Sequence, residues 1–141
     1  MARVARRQAR LRALDVLYEA DVLRRDVRAH LERVEADEHA DDIDAFARAL
    51  VLGIAEHAGE IDAVIAEHAR GWRVERMPVI DRNVLRLAVY ELLFEPDVPA
   101  AVAIDEAVEL AKLLSTEDSP RYVNGVLSGV LRAQGNDGGA G

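Results

Sequence analysis

The sequence predicts an all-α fold of six or seven helices, and three observations carry that prediction. Apolar residues recur at helical spacing along nearly the whole chain. The strict alternation of a half-buried strand occurs nowhere, and prolines and capping residues punctuate the pattern at helix-length intervals. Leu14, Leu17 and Tyr18 fall on one side of a helix read over about residues 4–24, and Val27, Leu31 and Val34 mark a short second one. The acidic stretch 35–42 reads as a loop ending in an aspartate N-cap, whose carboxylate satisfies an otherwise unpaired N–H of the next helix. Ile43, Phe46, Ala47, Leu50, Val51 and Ile54 then step through i, i+3, i+4, i+7, i+8 and i+11, which is one continuous apolar face. Ile61, Val64 and Ile65 predict a fourth helix with Gly71 as its C-cap.

Pro78 restarts the chain, because proline is tolerated in a helix's first turn and not in its interior. The run 79–94 is apolar on more than one side, so this helix is expected at the centre, covered from several directions. Pro96 and Pro99 bound a tight connection. Val102, Ala103, Ala107, Leu110, Ala111 and Leu114 are then expected inward, with Asp105, Glu106 and Glu109 toward water. Ser119 and Pro120 form an N-cap and first-turn pair, opening a last helix through Val123, Val126, Leu127, Val130 and Leu131. One helical domain is expected over residues 1–133, followed by a glycine-rich, disordered tail at 134–141.

At 141 residues and half apolar, the chain is long enough to bury a core. It has no cysteine, which removes disulfides, thiolate metal sites and cysteine nucleophiles. No apolar run approaches the roughly 20 residues of a membrane helix, and no hydrophobic stretch follows the N-terminal arginines as a secretory signal requires. A cytoplasmic protein without membrane contact is expected. The charge is unevenly spread. Five arginines and no acid lie in residues 1–12, so the rest of the chain holds 13 bases against all 26 acids. An acidic body repels phosphate except at that basic head, which focuses polyanion binding there. A basic terminus with no partner is the bland alternative.

Catalytic patterns are missing. No glycine-rich phosphate loop follows a strand and no HExxH occurs. His57 and His68 stand eleven residues apart with Gly59 between them, whereas helical zinc ligands sit three or four apart, so they read as solvated surface histidines. Asp105 and Glu109 have i, i+4 spacing and repel mildly, with Lys112 placed to compensate. No catalytic residue, metal site or cofactor is expected.

Five blocks carry a family resemblance. They are Ala5-Arg6-Arg7-Gln8-Ala9-Arg10 running to Leu17-Tyr18; Ile80-Asp81-Arg82-Asn83-Val84-Leu85-Arg86 running to Tyr90-Glu91-Leu92; Asp97-Val98-Pro99 with Ala103-Ile104-Asp105-Glu106-Ala107-Val108-Glu109-Leu110-Ala111-Lys112; Glu117-Asp118-Ser119; and Tyr122-Val123-Asn124-Gly125-Val126-Leu127. In this order and spacing the chain resembles the NusB transcription antitermination family. The resemblance implies two packed three-helix bundles and a scaffolding role without catalysis. It also implies two partners: single-stranded boxA RNA from ribosomal RNA leaders, and the ribosomal protein NusE. Through these the chain would serve the RNA polymerase antitermination complex indirectly.

Arg3, Arg6, Arg7 and Arg10 are expected along one helical flank, suited to the phosphates of a single strand, and the family's RNA contacts fall on Arg6, Arg7 and Arg10. Gln8 departs from a third consecutive basic residue in some relatives, at the cost of about one phosphate contact. About four neutralised phosphates give a salt slope near −3, so fourfold more salt weakens binding about fiftyfold. The resemblance makes Tyr122 an aromatic that meets RNA bases; packing inward, four residues before Val126, is the competing reading. Asp118 nearby repels phosphate and limits affinity. The resemblance places NusE contacts on Tyr18 and Asp81, for which a half-buried core position and a favourable helix-dipole interaction are sufficient alternatives. Two other functions compete: a homodimer that buries the arginine head, and an accessory module of an RNA-modifying enzyme. No Rossmann-type region is read here, so the module is expected to stand alone.

Overall fold

The structure, a computed structural model, describes residues 2–139, with side chains over residues 5–135. Among the described residues there are seven α-helices and one 3-10 turn, and no strand. They are α1 (Ala2–Val22), α2 (Val27–Ala36), α3 (Ala45–Glu56), α4 (Ala58–His68), the turn Val74–Arg76, α5 (Val79–Phe94), α6 (Ala100–Leu114) and α7 (Ser119–Gly139). No described helix is long and apolar enough to cross a membrane.

The chain divides into two compact units, residues 1–57 and 58–141. In the first, α1, α2 and α3 pack pairwise. α1 buries Ala9, Ala13, Leu14, Val16, Leu17 and Ala20; α2 supplies Leu31; α3 supplies Ala47, Leu50, Val51 and Ile54. Two aspartates start the shorter helices. Asp26 accepts from the Ala29 amide at 3.0 Å and Asp44 from the Ala47 amide at 2.7 Å. The cap of α3 thus lies two residues beyond the acidic stretch, and Ile43 precedes the helix rather than opening it. α1 ends in a Schellman turn. The Arg25 amide donates to the Ala20 carbonyl at 2.8 Å and the Arg24 amide to that of Asp21 at 3.2 Å, with Arg24 at φ 56°.

The second unit holds four helices, one more than a three-helix bundle. α5 is its centre and packs on α4, α6 and α7. The multi-sided apolar pattern explains that position: Val84, Leu85, Leu87, Ala88, Val89 and Tyr90 are all buried. Pro78 and Pro99 occupy the N-cap positions of α5 and α6. Arg86 grips Asp62 of α4 through a two-point fork, Nε to Oδ1 at 2.8 Å and Nη2 to Oδ2 at 3.0 Å. Gln134 Nε2 of α7 donates to the Leu92 carbonyl at 3.2 Å. Gly71 takes φ +82°, as a turn glycine must, but lies three residues past the end of α4.

α6 is rotated from its expected setting. Glu106 is buried, whereas Val102 is 40% and Leu114 41% exposed. Positions 103, 106, 107 and 110 form one helical neighbourhood, so burying Ala103, Ala107 and Leu110 carries Glu106 in with them. Its carboxylate has an interaction partner within the fold. Glu109, outside, meets Lys112 at 3.2 Å as the spacing predicts.

Candidate nucleic-acid interface

Within the first unit the arginine flank of α1 splits by helical phase. Arg6, Arg7 and Gln8 are exposed. Arg10 is only 2% exposed, because positions 10, 13, 14 and 17 share the inward stripe. Its guanidinium is engaged inside the fold and is not offered to an outside phosphate, which corrects the expectation of a uniform flank. Arg7 also has a partner within the fold. The Arg6 guanidinium lies 5.2 Å from the centroid of the Phe46 ring on α3, a cation–π contact, and the side chain is exposed. Arg12, six residues further along α1, donates to the Asp41 carbonyl at 2.8 Å. The side chain of Arg3 lies outside the described residues.

Tyr18, at the other end of α1, is 38% exposed, and Val22 and Leu23 beside it are half exposed. Tyr18 and Val22 are four apart and share a face. A core position is therefore not what the fold gives Tyr18. It belongs to a small apolar patch.

In the second unit, the loop after α4, the first turn of α5 and the start of α7 enclose a cleft of about 370 Å³. Trp72, Pro78, Asp81, Thr116, Asp118 and Tyr122 line it. Asp81 forms the floor. It is 4% exposed and accepts hydrogen bonds from the Ser115 hydroxyl at 2.5 Å and the Ser119 hydroxyl at 2.9 Å. Each serine has a single proton to give, so with both aimed at Asp81, Ser119 Oγ is left as an acceptor. Thr116 donates to it from its own hydroxyl at 2.7 Å and its amide at 3.3 Å. Ser119 therefore does not cap α7 as its sequence position suggests. Asp81, expected on a partner surface, is instead enclosed by α6 and α7 residues.

Tyr122 lines the cleft half-buried, so neither the fully exposed nor the fully buried reading describes it. Its hydroxyl is buried and has no hydrogen-bond partner among the described residues. Burial pushes its pKa above the ordinary tyrosine value, and the negative charge of Asp81 pushes the same way. At neutral pH the phenol keeps its proton and has a donor to spend. Trp72 is half exposed and Asp118 is exposed, so an indole face and a carboxylate sit beside the tyrosine.

Trp72 is the site residue that sequence reasoning passes over. The available signal was a tryptophan between Arg70 and Arg73 in an interhelical loop, a setting where burial is hard to arrange. Chemically, the cleft can hold a flat aromatic ligand against ring faces. Among the described residues, no group of three or more His, Asp or Glu side chains is gathered for a metal.

The family model described as the NusB family matches residues 7–132. A transcription antitermination protein NusB from Salinispora arenicola is 50% identical over 129 residues, covering 87% of this chain and 92% of its own. Among solved structures, T. maritima NusB superposes with a TM-score of 0.80 at 42% identity, over 90% of each chain. A chain from the crystal structure of antitermination factors NusB and NusE in complex with double-stranded RNA superposes with a TM-score of 0.77 at 32% identity. That match covers 91% of this chain and 96% of the other. With a matching family model over most of its length and a relative at half identity, the chain belongs to the NusB family.

Proposed function

We propose that this protein is an RNA-binding adaptor of transcription antitermination, acting in the cytoplasm and without catalysis. It binds boxA RNA of ribosomal RNA leaders together with NusE, and so serves the polymerase complex indirectly. The observation that carries this reading is the match, over nine-tenths of both chains, to a NusB solved with NusE and RNA. Arg6 and Arg7 are exposed cations on α1, and the Tyr122 cleft supplies an aromatic wall. A stacked base must be unpaired, so the cleft favours a single strand over a duplex. The apolar patch around Tyr18 is the NusE contact in this reading, and Asp81 acts on the partner surface only through the cleft floor that it holds together.

The test is a titration of boxA RNA into the protein, single-stranded and duplex, with and without NusE, at two salt concentrations. Single-stranded boxA should bind more tightly when NusE is present, and fourfold more salt should weaken it by tens-fold. Binding indifferent to NusE and to RNA sequence would overturn the adaptor reading.

A further inference from the structure

We propose that the RNA strand continues beyond the Tyr122 cleft into a second basic groove of the same unit, where Arg70, Arg121 and Arg132 take its phosphates. This rests on the RNA-binding reading above and extends its footprint. The groove, about 430 Å³, lies between the C-terminal end of α4 and the flank of α7 that adjoins it. The three arginines are exposed and carry no ion pair among the described residues. Glu67 is the single acid lining the groove, and it leans toward His68, with Oε2 4.0 Å from Nε2. In a chain of net charge −8, three unspent cations against one acid mark a place for an anion.

Spacing says which anion. Arg121 and Arg132 are eleven residues apart on one helix, about 16 Å along its axis, too far for one phosphate to meet both. A run of phosphates on a flexible strand meets that span. Tyr122 lines both the cleft and the groove, so a base at the tyrosine leads its own backbone into the arginines. The floor is shaped to admit it. A Cβ added at Gly125 would meet nothing within 4 Å, leaving open space beside the helix backbone. Gly129 serves packing instead, since a Cβ there would come within 3.0 Å of His68 Nδ1. Arginine is also the suitable base, because its planar fork binds phosphate oxygens in pairs.

The experiment uses the full chain with NusE and single-stranded boxA RNAs extended stepwise at either end. In the parent protein, affinity and salt slope should rise with extension until the groove is filled. Arg70→Gln combined with Arg121→Gln and Arg132→Gln should remove that rise and about two units of salt slope, at 0.7 per phosphate. Gly125→Glu keeps every arginine and improves helix propensity. It should weaken the longer RNAs roughly fivefold at low salt by setting a carboxylate against phosphate. Unchanged affinity, slope and length dependence in both variants, with boxA still bound, overturns the groove and leaves the adaptor reading standing. If the parent protein binds no RNA, both fall. If the variants lose a polyglutamate peptide but keep the RNA, the groove belongs to an acidic protein segment and the proposal is overturned.

Discussion

Tyr122 shows what a single side chain contributes and how far sequence can foresee it. An aromatic near a helix start is visible in the sequence, but whether it faces out or in depends on the tertiary neighbours, which periodicity does not report. In the fold it does both, lining a cleft with its ring and burying its hydroxyl. Tyr122→Ala should weaken boxA binding by about 1–3 kcal/mol and leave the salt slope nearly unchanged, because stacking releases no counterions. A filter-binding series across salt measures both quantities, and a changed slope would show that the ring had been positioning phosphate contacts instead. Arg10 gives the opposite lesson. Its burial was legible, since it shares the stripe of Ala13, Leu14 and Leu17, yet counting charge along the segment hides the face each residue occupies.

Helix starts and stops are written locally, so elements are more legible than sites. Asp26 and Asp44 cap the helices that follow them, and Pro78 and Pro99 stand where proline's missing N–H costs nothing. The phase of a helix is less local. α6 carries enough alanine and valine that several rotations look equally apolar, and packing selects the one that takes Glu106 inside. At the C-terminal end of α1 the chain holds a non-glycine residue, Arg24, in the left-handed region. Arg24→Gly should stabilise the protein by about 0.5–1 kcal/mol by relieving that conformation. Chemical denaturation would show it as a higher midpoint with an unchanged slope. A lower midpoint would mean that the arginine side chain contributes more than the turn costs.

Across the whole molecule, the proposed function rests on where a minority of positive charge is gathered. The N-terminal cluster is contiguous in sequence and therefore legible. The groove arginines at 70, 121 and 132 are scattered, and only the packing of α4 on α7 assembles them. Arg6→Ala with Arg7→Ala should lower the magnitude of the RNA salt slope by about one to two units while helix content, read by circular dichroism, stays at the parent value. Loss of helix content would show that Arg6, through its contact with Phe46, holds α1 to α3 more firmly than it serves RNA.

One carboxylate, that of Asp81, ties the first turn of α5 to hydroxyls contributed by the end of α6 and the beginning of α7. The floor of the aromatic cleft thus does not loosen at one point alone: releasing any one of the three segments strands a polar group that the other two had satisfied. The binding proposed for that cleft is consequently tied to the packing of α5, α6 and α7, present while those helices hold together and gone when they part.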